Sequence, residues 1–318
     1  RLKRLKRIMG YGKRRRAKET TTVSDMILYG AKKLIQEGKI KKEEIGAVVV
    51  VTLSPDYFCP PVSAIVQGEL GLTDDVLCVD IPQACAGYVV GLMQSFMLLE
   101  HMEGKKVLLC TGETFCRGNK EKQEPPYYRA PFGGDAANIT IVENGGQDKI
   151  CYEFHQDGSQ RKCLVIPDGA FRNPMTVEQI QNQIVRMPLT GVVMDGSTVF
   201  NFAQKEVPIL VDSLTKMAET TKEDIDWFLF HQPNKFMLQK LAERIGVPFE
   251  KMPMDIVEKF GNSNSATIPT AITADLKEEM LNKESLCCLA GFGAGVAWAG
   301  IIMKMGNMDF CDTIISDL

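Results

Sequence analysis

The chain has 318 residues, 45% of them hydrophobic, and a formal net charge of −3 at pH 7. That is enough apolar material for one large core or two intimately packed halves, and the charge balance gives no general reason to bind nucleic acid or a membrane. Ten cysteines, scattered mostly through apolar runs without CxxC spacing, and three histidines read as reduced thiols of a cytoplasmic protein. They do not read as a disulfide framework or a metal site.

The chain opens on RLKRLKRIMGYGKRRR, a basic stretch that is either a solvated segment or one that contacts phosphate. MILYGAKKLIQEG then follows a helical period, and IKKEEIGAVVVVT (Ile40–Thr52) leads into an apolar strand. VLCVDI predicts a second strand. It runs into QACAGYVVGLMQSFMLL (Gln83–Leu99), a cysteine between two alanines ahead of a long apolar helix. Cys85 is either a small buried hydrophobe or a thiolate at the first turn of a buried helix, where free N–H groups and the dipole favour negative charge. KVLLCTGE predicts a further strand. No uninterrupted apolar run reaches the roughly 18 residues that a bilayer crossing requires, and no secretory signal is expected.

A second copy of this order follows. VPILVDSLTKMAET is helical in period, and TTKEDIDWFLFHQ (Thr220–Gln232) repeats the lysine–acid–acid–isoleucine lead-in and its strand. Asp255-Ile256 in KMPMDIVEKFGNSNSA stands before Asn262 much as Asp80-Ile81 stands before Cys85, and SLCCLAGFGAG matches KVLLCTGE. The pattern predicts a duplicated α/β fold, residues 1–148 and 149–318, with buried central helices meeting on a pseudo-twofold axis. Cys85 and Asn262 are then expected at equivalent positions, with His231 at the carboxyl end of a strand, where α/β sites form. Cysteine, imidazole and carboxamide together can run thioester chemistry. The thiolate attacks an acyl thioester, and the other two stabilise an enolate oxygen.

QACAGY around Cys85, HQPN from His231, GNSNSATIPTA from Gly261, GFGAGVAWAG from Gly291 and FGGDAANIT from Phe132 resemble, in order and spacing, the thiolase-superfamily condensing enzymes. The resemblance is specifically to β-ketoacyl-acyl-carrier-protein synthase III. It implies a thiolase-like fold of duplicated α-β-α-β-α halves and the triad Cys85, His231 and Asn262. It also implies an oxyanion hole from the backbone N–H groups of Cys85 and Ala294, and substrate contacts at Asn234, Phe292, Gly293 and Cys59. The reaction implied is acyl transfer to Cys85, then decarboxylative condensation with malonyl-acyl carrier protein to a 3-oxoacyl product, with no tightly bound cofactor and no metal. Other readings are a specialised or polyketide-type synthase serving a secondary-metabolite or sugar acceptor, and a catalytically silent partner subunit.

The resemblance further implies a homodimer, in which the loop TLSPDYFCPP (Thr52–Pro61) closes the neighbour's acyl pocket and Cys59 gates chain length. Acyl carrier protein is expected to dock on NKFMLQKLAERIGV through Lys235, Lys240 and Arg244. Three departures from the family's pattern stand out. Its first strand has no counterpart after Arg1, which leaves a sheet position to be filled. Its adenine-stacking tryptophan is replaced by Arg4 or Leu5, which weights the acyl donor toward a carrier protein over coenzyme A. GNMDFCDTIISDL runs past its final strand with no assigned role.

Overall fold

The structure, a computed structural model, describes residues 2–116, 133–146, 148–174, 176–177 and 192–318. Phe132, the first residue of the FGGDAANIT motif, lies outside the described residues.

The basic start of the chain forms helix α1 (Leu2–Met9). Next comes α2 (Val23–Gln36), opened by a capping box in which Thr22 and Asp25 satisfy each other's backbone N–H groups. Then follow β1 (Ile45–Val51), α3 (Val62–Leu70), β2 (Leu77–Ile81), α4 (Gly87–Leu99), β3 (Lys106–Glu113) and β4 (Ala136–Glu143). The second half holds β5 (Cys151–Gln156), the short pair β6 (Leu164–Val165) and β7 (Val193–Met194), and α5 (Gly196–Met217). It continues with β8 (Trp227–Phe230), α6 (Lys235–Ile245), α7 (Ile256–Lys259), α8 (Thr267–Asp275), α9 (Lys277–Asn282), β9 (Glu284–Gly293) and β10 (Ala297–Gly306).

Two four-stranded sheets form, in the orders β2-β1-β3-β4 and β5-β10-β9-β8. β1 lies parallel to β3, with Val49 opposite Leu109, and β8 lies parallel to β9, with Leu229 opposite Leu289. β4 and β10 each run antiparallel to the strand before them. Strand alternation divides the side chains between layers. Val49, Val51 and Leu109 of the first sheet share a core cluster with Leu229, Leu289 and Ala299 of the second and with Val89 of α4 and Ile268 of α8. Val48 and Val50 face outward onto α2 and α3, while Phe228, Phe230, Cys288 and Ala290 face α5 and α6. The result is five layers, α-β-α-β-α, with α4 and α8 in the middle. Each fully buried valine or leucine contributes about 1.5–3 kcal/mol through burial. β1, buried at every position, therefore anchors the first half.

The halves differ at two places. KMPMD, aligned above with the strand VLCVDI, forms no strand, and the helix α7 intervenes before Asn262. β10 carries β5 on its outer side, whereas β4 ends its sheet with no further strand among the described residues. The terminal segment after β10 folds back: Met308 N–H bonds Met280 O, the Thr313 hydroxyl bonds that of Thr273, and Cys311 joins the central core beside Val142 of β4.

Candidate active site

Cys85 sits in a short 3₁₀ turn, Ala84–Ala86, between β2 and α4. The second half builds the same turn at Asn264–Ala266, ahead of α8. The residues preceding the two turns have closely similar backbone angles, φ −107° and ψ 17° at Gln83 and φ −102° and ψ 31° at Ser263. Ala86 and Ala266 match again, at φ −81° with ψ −7° and −6°. Between them, Ala84 and Asn264 adopt the left-handed region at φ 44° and 49°. This superposition pairs Cys85 with Ser265 and corrects the equivalence with Asn262 read from the sequence. Cys85 and Ser265 also stand equally far along the chain from their lead-in isoleucines, Ile45 and Ile225, whereas Asn262 falls three residues short.

The second turn gathers the site. The Cys85 Sγ–H donates to Asn264 Oδ1 at 3.5 Å. Asn264 N–H donates to Asn262 Oδ1 at 2.9 Å, which fixes that carboxamide and leaves Nδ2 as its donor end. His231, 2% exposed, follows β8 directly and places Nδ1 2.8 Å from the Thr267 hydroxyl. That hydroxyl oxygen receives Gln232 N–H at 3.3 Å, and the hydroxyl can donate its one proton to Asn264 O at 2.8 Å. When the hydroxyl donates that proton to Nδ1 instead of Asn264 O, the neutral ring carries its own on Nε2, the tautomer able to donate to a substrate. Burial drives the His231 pKa down to about 3, so the ring is neutral at physiological pH.

The end of β9 closes over Cys85. A Cβ at Gly293 would lie 2.8 Å from Cys85 Cβ and 3.0 Å from Sγ, and one at Gly291 would lie 2.8 Å from Cys85 O. Only glycine permits that approach. Phe292 turns the other way and meets the His231 ring edge to face, centroids 5.7 Å apart. Ala294 follows, half-buried.

The charge state of Cys85 differs from the expectation of a helix-stabilised thiolate. Burial, reinforced by the negative charge of Glu113, pushes the thiol up to about 12. α4 begins only at Gly87, so Cys85 sits just outside the first turn and desolvation outweighs the helix end.

The remaining expected residues are placed differently. Asn234 caps α6, its Oδ1 accepting Met237 N–H at 2.9 Å, so its carbonyl end is committed to the helix. Lys235 pairs with Asp255 at 2.7 Å and Lys240 with Glu243 at 2.6 Å, while Arg244 is exposed. Gly10, just past α1, lies so close to Lys235 that a Cβ there would be 2.8 Å from the lysine's own. The basic amino-terminal helix thus rests on α6. Cys59 is exposed beside the exposed Tyr57 and Phe58 and makes none of the bonds that join the cluster. Sequence reasoning missed Asn264, Thr267, Ser265 and Glu113. Among the described residues no three His, Cys, Asp or Glu side chains converge as metal ligands.

A family profile described as 3-oxoacyl-[acyl-carrier-protein] synthase III, C terminal, matches residues 215–305. A putative 3-oxoacyl-[acyl-carrier-protein] synthase 3 of Campylobacter jejuni is 30% identical over 312 residues, covering 96% of this chain and 86% of the relative. The chain belongs to the 3-oxoacyl-acyl-carrier-protein synthase III family. A β-ketoacyl-acyl-carrier-protein synthase III of Synechocystis is likewise 30% identical, across 86% of this chain and 81% of its own. The crystal structure of a 3-oxoacyl-acyl-carrier-protein synthase from Burkholderia xenovorans superposes with a TM-score of 0.86 at 29% identity, covering 99% of this chain and 89% of the other. The thiolase-like architecture of these synthases is that of the five-layered fold described above.

Proposed function

We propose that this condensing acyltransferase loads an acyl group onto Cys85 and joins it to malonyl-acyl carrier protein with loss of carbon dioxide. In the first step Cys85 sulfur attacks the carbonyl of an acyl thioester, from coenzyme A or a carrier protein. The thiol proton leaves with the departing thiol, and an acyl-Cys85 thioester remains. The second thioester then loses carbon dioxide, and charge gathers on its carbonyl oxygen, where neutral His231 (through Nε2–H) and Asn262 (through Nδ2–H) donate. The resulting carbanion attacks the acyl-Cys85 carbonyl, whose developing oxyanion the amides of Cys85 and Ala294 receive. Cys85 is expelled and reprotonated, and the 3-oxoacyl product departs.

The observation that carries this reading is the turn Asn262–Thr267, which by its own bonds reaches the Cys85 thiol, the Asn262 carboxamide and the His231 ring. The test is intact-protein mass after incubation with a panel of acyl thioesters, scored beside carbon dioxide release from malonyl-acyl carrier protein. An acyl adduct on Cys85 that is consumed when the malonyl substrate is added supports the reading. A Cys85 that takes no adduct from any thioester overturns it.

On the same reading the acidic carrier protein docks at the face of α6, where Arg244 is the exposed cation and α1 adds Arg4, Lys6 and Arg7, all exposed. The protein acts as a homodimer. Its support is the partly open edge of β2, with Leu77 41% exposed, and the outward Tyr57 and Phe58 of the Thr52–Pro61 loop. Cys59 of that loop then limits the acyl chain in the neighbouring pocket. The catalytic unit spans both halves, residues 1–148 supplying the nucleophile and 149–318 the donors.

A further inference from the structure

Glu113 ends β3 and is completely buried. Three donors from two other elements converge on its carboxylate. Leu53 N–H lies 3.2 Å from each oxygen, the Ser54 hydroxyl donates at 2.9 Å and the Ser265 hydroxyl lies at 3.4 Å. Ser54 itself accepts Thr114 N–H at 3.0 Å, which orients its proton toward the carboxylate. Every group bonding Glu113 in this way is neutral. A buried carboxylate without a cation is costly, and nothing in the triad uses it.

Its neighbours give it a position with meaning. Leu53 and Ser54 begin the Thr52–Pro61 loop, and Ser265 is the residue whose turn pairs with that of Cys85. We propose that Glu113 is a positioning residue for the nucleophile: its carboxylate ties the loop after β1 to the turn supporting Cys85, and its negative charge opposes formation of the thiolate. This inference rests on Cys85 being the nucleophile.

The electrostatics agree with the geometry. Glu113 is the charged group acting on the Cys85 thiol, and it raises the thiol pKa. Burial in turn pushes the Glu113 carboxyl up to about 8, against the lowering effect of its hydrogen bonds. Other titratable groups near these elements are otherwise engaged. Asp135, next to β4, holds Ala17 N–H and Cys116 N–H, Asp56 of the loop holds Ser24, and His231 is neutral. Glu113 and Cys85 therefore compete for one negative charge in a low-dielectric pocket. Linkage makes the effect reciprocal: the Cys85 thiolate, once formed, favours the protonated Glu113 carboxyl.

The experiment is the pH profile of Cys85 alkylation by iodoacetamide, read by peptide mass, with exposed Cys59 as the internal reference. Above about pH 8, where Glu113 is ionised, Glu113→Gln should move the Cys85 profile to lower pH by about one unit, a roughly tenfold faster alkylation at fixed pH, and leave Cys59 unmoved. A Cys85 profile identical to the parent's in a folded Glu113→Gln protein overturns the proposal. Should that variant fail to fold, Ser54→Ala keeps the carboxyl but removes its shortest bond, so Glu113 holds its proton to higher pH. Cys85 should then alkylate at lower pH by a smaller margin, and no movement or the opposite movement overturns the proposal. Because alkylation reads the thiol alone, it is independent of condensation. Acyl loading of the parent protein separately tests whether Cys85 is the nucleophile.

Discussion

In the first half, the turn at Ala84–Ala86 presents Cys85 beneath the glycines of β9. In the second, the same backbone turn presents Ser265, whose hydroxyl lies within reach of Val51 O and Glu113, while Asn264 crosses to the Cys85 thiol. The backbone is duplicated and the chemistry is not. Ala84 carries only a methyl group at its left-handed position. Asn264, at the matching left-handed position, carries an amide that reaches the Cys85 thiol. One copy of the turn carries a thiol and the other the side chains that bond it and Glu113, so the site is asymmetric although the fold that holds it is nearly symmetric.

The largest effect should come from exchanging the two residues. Cys85→Ala is expected to abolish acyl-adduct formation and condensation, and adding Ser265→Cys should not restore either, because a thiol there faces Glu113 instead of the β9 glycines. An adduct found on residue 265 by peptide mass would make the two turns functionally interchangeable. Next come His231→Ala and Asn262→Ala. Each removes a donor to the enolate oxygen, costing about 3–4 kcal/mol, or two to three orders of magnitude in condensation, while an acyl group still reaches Cys85. Single-turnover condensation compared with adduct mass separates these steps, and parallel loss of both would assign the residues to loading.

A smaller effect is expected at Gly293. Gly293→Ala puts a methyl group against Cys85 Sγ, an overpacking that typically costs about 1–3 kcal/mol. Slower acyl loading and a lower melting temperature should appear together. The smallest effect contrasts the two left-handed residues. Ala84→Gly should stabilise the protein by up to about 1 kcal/mol by relieving a backbone conformation that alanine disfavours. Asn264→Gly should gain less, since asparagine tolerates that region and its bond to Cys85 is lost. Equal gains in chemical denaturation would mean that the Asn264 side chain contributes nothing to the site.

The legible part of the molecule was local. The IGAVVVV and KVLLCTGE runs, the amphipathic period of α2 and the apolar run after Cys85 each specify their element through side-chain periodicity, and these became β1, β3, α2 and α4. The clustering of Cys85, His231 and Asn262 was legible because their motifs carry distinctive small and polar residues. Glu113 was not, because it ends a strand whose alternation signals only burial, and nothing in TGET marks a carboxylate that must be held by a distant loop. The Cys85–Ser265 correspondence was passed over because the polar Asn262, three residues earlier, drew the alignment, although Ser265 keeps the spacing of Cys85 from its lead-in isoleucine. Lys235 and Lys240 looked free in sequence because their acidic partners, Asp255 and Glu243, act through a fold contact and a helical turn.

The close seat of Gly293 on Cys85 also has a consequence for biosynthesis. On the ribosome, QACAGY emerges well before His231, the 262–267 turn and the end of β9. Until the second half docks, the cysteine is an ordinary thiol beside an unpacked helix, with neither the glycine cover nor the donors of the finished site. Competence to hold and use an acyl group therefore arrives only with the last strands of the chain. An unfinished or misfolded copy, with its thiol uncovered and no donors assembled beside it, lacks the arrangement that condensation requires.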